Sequence, residues 1–172
     1  MLAMRKMKYI PQHHRDNENG YVQVNGKTCW QKKMAGQGSQ QCGQQHNGWH
    51  EDILKVRCQA DAVDGKLAVR VYTDLNSAAS DESFGIDNVV VSKVPPFTTI
   101  KSSFKDPKNF EGWNCGTITT CGKFGNICGG FNAKAKSHDI TKTFTVPAGT
   151  YIVTLDFIKI DSWLVRFVLR RS

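Results

Sequence analysis

The chain has no apolar run near the roughly 18 residues that a membrane-spanning helix needs, and no stretch with a convincing helical period. No span of the membrane is therefore expected. A C-x-x-C pair is also missing, which argues against a zinc ribbon or a thioredoxin-like redox site. No G-x-S-x-G elbow, phosphate-binding loop, dinucleotide fingerprint or H-E-x-x-H is present, so the chemistries those motifs serve lack their usual carriers. No N-x-[ST] sequon occurs. Asn126-Ile127-Cys128 is only the rare cysteine variant, which leaves Ser102, Ser103, Thr117, Thr119 and Thr120 as candidates for O-linked sugar if this is a glycoprotein. The opening segment, Met1 to His14, carries positive charge but lacks the apolar core of a signal peptide. The reading that follows is an internal piece of a longer product.

What is present points to strands. At 172 residues the chain is long enough for one all-β domain with a real core. Tyr21 to Asn25 alternates and runs into Asn25-Gly26, a strong hairpin signal, with Lys27 to Lys33 as the returning strand. Ile53 to Gln59 sets Leu54, Val56 and Cys58 against Lys55 and Arg57. Asp64-Gly65 makes a second tight turn into Lys66 to Thr73, where Leu67, Val69 and Val71 oppose Arg70 and Tyr72. Ala35 to Gly48 and Asn109 to Asn132 read as glycine-studded loops. Ile140 to Val146 alternates. Thr150 to Ile160 is apolar on both faces, which predicts a central strand, and Trp163 to Leu169 is a last β-prone run. Many short strands with Gly and Pro turns imply a β-sandwich or jelly roll.

Charge and cysteine bound the setting. There are 23 basic and 15 acidic side chains, a net +8, with much of the excess at the ends (Arg5, Lys6, Lys8, Arg15; Arg166, Arg170, Arg171). Basic flanks by themselves suit acidic glycans, anionic surfaces, nucleic acid or plain solubility. Nucleic acid is not an expected partner, because the positive charge is not interleaved with aromatics along a sheet. Six cysteines (Cys29, Cys42, Cys58, Cys115, Cys121, Cys128) in a strand-rich chain fit disulfides and an oxidising compartment. Three fall in each half. Complete pairing then needs a bridge between the halves or between chains, and spacing does not choose the connectivity.

Several groups could carry function. Ser80 to Val91 (SDESFGIDNVVV) reads as an acidic loop feeding a buried Val89–Val91 strand. Asp74, Asn76, Asp81, Glu82, Asp87 and Asn88 could supply the oxygens that calcium, the one cofactor considered, requires. The alternative is a set of acidic turn residues capping strand ends. Trp30, Trp49 and Trp113, with Phe131, stand beside glycine-rich loops and are candidates for stacking on sugar rings or for the core. His13-His14 lack a third ligand, and His46 and His50 lie in a loop-like stretch. The carboxylate pairs Asp81/Glu82 and Asp156/Asp161 identify no acid opposite a base, so a non-enzymatic protein is expected.

Two segments carry a resemblance. GWNCGTITTCGKFGNICGGFN with KTFTVPAGTYIVTLDFIKIDSW, and GSQQCGQQHNGWHEDILKVRC with DESFGIDNVVV, resemble parts of a cysteine-containing β-rich repeat of secreted and cell-surface proteins of single-celled eukaryotes, notably ciliates. DESFGIDNVVV also resembles the last strand of lectin-like jelly-roll domains. The resemblance implies an extracellular, cell-surface location. In the family the CGKFGN-to-DSW segment comes first; here the order is reversed, and LVRFVLRRS replaces the family's continuation after DSW. The organisation implied is an irregular arm (1–19), the closing half of one repeat (20–94), a junction at Pro95-Pro96 (95–98) and the opening half of the next (99–172). Such halves could close on each other within one chain, or complete neighbouring copies head to tail into a fibre. The leading expectation is a self-assembling structural or adhesive protein with copies of itself as partners. The alternative is a calcium-dependent carbohydrate-binding module.

Overall fold

A computed structural model of the chain describes residues 18–34, 38–44, 50–95, 98–134 and 138–161. Thus His13-His14, His46, Trp49, Pro96 and the Trp163 to Leu169 run lie outside the described residues. The strands are β1 Asn19–Val24, β2 Lys27–Lys33, β3 Asp52–Asp61, β4 Lys66–Thr73, β5 Glu82–Lys93, β6 Thr99–Ser102, β7 Ile118–Thr120, β8 Asn126–Gly129, β9 Ile140–Thr145 and β10 Thr150–Asp161. They form two antiparallel sheets. One runs β2-β1-β4-β9; the other runs β3-β10-β5-β8-β7, with β6 also paired to β5.

The two-residue period decides what faces inward. Val22, Val24, Leu67, Val69, Val71, Ile140 and Phe144 from the first sheet meet Val56, Phe84, Ile86, Val91, Val153, Leu155 and Phe157 from the second in one core. The hairpin turns take the left-handed geometry their residues favour, with φ of 49° and 75° at Asn25-Gly26 and 48° and 69° at Asp64-Gly65. β10 is central, as its two apolar faces require: it pairs with β3 on one side and β5 on the other. Its outer residues Ile158 and Ile160 form a second small core with Cys121 and Ile127, overlaid by Cys42, Ile53, Phe124 and Phe131.

Three sequence expectations change. The acidic loop before Val89 is largely strand, because β5 extends back to Glu82 to match the length of β10 (Ser83 opposite Ile160, Glu82 opposite Asp161). The supposed 109–132 loop holds β7 and β8, and β6 lies just past the diproline. Asn19 already belongs to β1 rather than to an arm.

Strands from the two halves of the sequence share both sheets: β9 pairs β4, and β10 sits between β3 and β5. All six cysteines pair. Cys29–Cys58 joins β2 to β3, the edge strands of the two sheets on one side of the sandwich. On the other side, Cys115 follows Asn114, whose backbone bridges to Thr141 of β9, and bonds to Cys128 of β8. Cys42–Cys121 links the halves. Each open flank of the sandwich is thus stapled.

Replacing Cys29 and Cys58 together by Ser reopens a loop with a sequence separation of 29, for which chain entropy predicts a loss of about 3.5 kcal/mol. Urea unfolding of the oxidised protein measures it. A loss below about 1 kcal/mol would mean that the staple does not constrain the unfolded chain as described.

Candidate binding face

The same alternation that buries Val22 and Val71 turns Tyr21, Gln23, Arg70 and Tyr72 to the outside of the four-stranded sheet. Register brings them together. Tyr21 lies opposite Tyr72, and Gln23 opposite Arg70. The tyrosine rings stack with centroids 4.8 Å apart and planes 9° from parallel. The Arg70 guanidinium lies 4.2 Å from the Tyr72 ring centroid, a cation–π contact.

Hydrogen bonds fix every member. Gln23 Nε2 donates to Tyr72 Oη (3.0 Å) and to Thr28 Oγ1 (3.2 Å). Arg70 donates through Nε to Asp139 (2.7 Å) and through Nη1 to Gln23 Oε1 (3.4 Å). Tyr21 Oη donates to Asp74 Oδ2 (2.8 Å), which also accepts from the Asn19 side chain (3.1 Å). The hydrogen bond to Asp74 raises the Tyr21 phenol above its usual range, and that to Asp139 raises the Arg70 guanidinium. Both groups therefore stay protonated as donors at neutral pH. The result is a half-exposed aromatic and polar ladder, held in one arrangement before any ligand arrives.

The candidate calcium ligands have other partners or stand apart. Asp74 belongs to the tyrosine ladder. Asn76 donates its side-chain amide to Glu18 Oε1 (2.6 Å). The Asp81 and Glu82 amides both donate to Ala78 O, and the buried Glu82 carboxylate accepts from Ser77 N (3.2 Å). Asp87 and Asn88 stand further along β5, five residues of strand or about 17 Å beyond Glu82. One ion cannot draw on all six at coordination distance. Among the described residues no three His, Cys, Asp or Glu side chains are arranged to hold a metal.

The candidate stacking residues divide. Trp113 is 4% exposed; its Nε1 donates to Ser102 Oγ (3.1 Å), and its ring meets Phe104 and Phe144 edge-on. It is a core residue, and so is Ser102, which the same contact removes from the O-glycosylation candidates. Trp30 is half-buried and packs on Phe157. Sequence reasoning passed over the tyrosines instead. The available signal was their alternation opposite buried valines, but nothing in a single strand shows that Tyr21 and Tyr72 touch.

The carboxylates noticed as pairs are also separated. Asp156 lies opposite Asp87 across β10 and β5 and is held by Lys55 (2.7 Å) and Asn88 (3.0 Å). Asp161 lies at the strand's end, accepting from Gln44 N (3.2 Å). Beside it Glu51, fully buried, accepts from the Gln41 and Cys42 amides, and Lys159 donates to His50 O and Asp161 O (both 2.6 Å). These groups pin the 38–44 segment against the sheet.

Comparison with known proteins adds no relative. No family model matches the chain, and no curated protein or solved structure does either.

Burial pushes Asp87 up to about 6 from the ordinary 3.8, aided by Asp156 and Glu111 and opposed by an Asn88 backbone hydrogen bond and Lys55. Burial pushes Asp161 up to about 7, aided by Glu51 and opposed by its bond from Gln44. Both folded values lie above the unfolded one, so the fold favours the protonated forms. Their contribution to stability is fully present below about pH 4 and is lost as pH rises through 6 and 7. Asp87→Asn removes the lower part of that loss. Its melting temperature exceeds the wild type's at pH 7.5, and its change between pH 4.5 and 7.5 is smaller. An unchanged pH dependence would refute the burial of that carboxylate.

Proposed function

We propose that the chain is a non-enzymatic, extracellular adhesive module that recognises saccharides through the outer face of its four-stranded sheet. The observation that carries this reading is the stack of Tyr21, Tyr72 and Arg70 with its fixed hydrogen-bond partners. A sugar ring offers a C–H face that packs on aromatic carbon and a rim of hydroxyls that both donate and accept. The ladder offers half-exposed tyrosine beside amide, carboxylate, hydroxyl and guanidinium groups. Because these are already ordered, little side-chain entropy remains to be lost on binding.

The setting supports an extracellular place. Three disulfides suit an oxidising compartment, and no helix among the described residues is long and apolar enough to cross a membrane. The likeness of the cysteine-bearing segments to ciliate surface repeats points the same way. Fibre formation by strand exchange has less support, because β10 occupies within one chain the place that a neighbour's strand would take. Assembly would instead use an edge such as β2, where Lys27, Lys32 and Lys33 work against strand addition.

The test is retention of the oxidised protein on a panel of immobilised polysaccharides, with and without chelator. Retention that falls at least about tenfold in Tyr21→Ala, with circular dichroism and melting unchanged, supports the face (about 1.4 kcal/mol). Wild-type retention in that variant removes it. Loss on chelation restores the calcium-dependent alternative. Filaments in negative stain, with no glycan bound, favour the structural role.

A further inference from the structure

We infer that the opposite sheet carries a second binding site, a cleft for an anionic saccharide, one bearing carboxylate or sulfate groups. The inference rests on the reading of the chain as a saccharide binder but uses none of the same residues.

The cleft lies on the outer face of the six-stranded sheet, where β3, β10 and β5 run side by side. It encloses about 380 Å³ and is lined on its polar side by Lys55, Arg57, Asn88, Thr154 and Asp156. A bulge shapes it. Asn88 has φ 49°, and the β5–β10 register shifts between Thr154 and Asp156, so one residue is displaced from the ladder and its amide turns to Asp156.

Register then lays out the charges. Arg57 pairs with Thr154, Thr154 with Val90, and Val90 with Lys101, so one straight rung crosses four strands. Val56 and Cys58 on either side of Arg57 are buried, as is Ser102 beside Lys101, which turns both cations outward. Arg57 and Lys101 thus flank the face three strand spacings, about 14 Å, apart. Neither forms an ion pair among the described residues. The carboxylate between them is already compensated: Asp156 is held by Lys55 and by the Asn88 amide.

This arrangement selects a class of ligand. Two uncompensated cations at the ends of one rung suit a ligand with spaced negative charges, and a guanidinium presents a fork that matches carboxylate and sulfate. The lining between them is hydroxyl, amide and carboxylate. Asp156 can accept from a sugar hydroxyl, whereas a DNA phosphodiester offers it no donor and would repel it. No aromatic ring lines the cleft on which a nucleic-acid base could stack. The net charge of +8 draws any polyanion towards the protein, and the cleft adds a place where acid and hydroxyl groups are met together.

The experiment compares binding of a sulfated polysaccharide, a polyuronate, a neutral glucan and single-stranded DNA at fixed ionic strength. Four proteins are measured: wild type, R57A/K101A, Tyr21→Ala and Asp156→Asn. Both substituted cations are exposed, so the double variant folds as wild type does. The expected result is at least tenfold weaker binding of the acidic polysaccharides in R57A/K101A, with a shallower salt dependence, while the same double variant holds the neutral glucan as wild type does. Asp156→Asn removes the carboxylate's repulsion of phosphodiester and frees Lys55, so it strengthens DNA binding more than polyuronate binding. Equal binding of acidic polysaccharides by R57A/K101A and wild type overturns the site, because the attraction then belongs to charge elsewhere on the chain. DNA bound more tightly than either polysaccharide, with the same dependence on Arg57 and Lys101, overturns the ligand class. Neutral glucan held through Tyr21 with no binding of acidic polymers sinks this inference and leaves the proposed function standing; no binding of any saccharide sinks both.

Discussion

The fold depends on β10 having a long partner on each side. Its register with β3 runs from Thr150 to Lys159, and with β5 from Tyr151 to Asp161. A strand in that position must be apolar on both faces wherever both are covered. Tyr151, Val153, Leu155 and Phe157 enter the main core, while Ile158 and Ile160 enter the smaller one behind it. Where the second covering stops, the outward residues become Asp156, Thr154 and Ile152, the first two of which line the open cleft. One strand therefore holds the sandwich together and sets where its outer face is available to a ligand.

That pairing explains the cysteine pattern. With β10 central, β3 becomes an edge, facing β2 across the open side of the sandwich, and Cys29–Cys58 spans that side. The segment carrying Cys115 lies along β9 and reaches Cys128 of β8 on the opposite side. The third bridge, Cys42–Cys121, fastens a cover over the outer isoleucines of β10. An odd number of cysteines in each half follows from one bridge per half and one between them.

Much of this architecture was legible. The period-2 segments around Val22, Val56, Val69 and Phe144, the Asn25-Gly26 and Asp64-Gly65 turns, and the two-sided apolarity of Thr150 to Ile160 led to strands that the structure contains. The front of β5 was not legible, because Glu82, Ser83, Gly85 and Asp87 are loop-forming residues by local preference. Only a long-range partner, the end of β10, makes them strand. β7 and β8 were hidden by brevity and by glycines. The candidate face was half legible: alternation put Tyr72 and Arg70 outside, but its assembly needs Tyr21, brought close by register, and Asp74 and Asp139, which accept from Tyr21 and Arg70. For Trp113 the sequence left sugar stacking and core both open, and its burial, with its N–H donated to Ser102, decides for the core.

The central claim is that the two halves complete each other within one chain, and the Cys42–Cys121 bridge reports on it directly. Ordinary and isotopically labelled chains would be unfolded under reducing conditions, mixed, and refolded and oxidised together, and the linked peptides then weighed. The account predicts that every peptide pair joining Cys42 to Cys121 carries two ordinary or two labelled halves, from protein with the mass of one chain. Pairs joining an ordinary to a labelled half, in a covalent ladder, would show that each chain completes its neighbour.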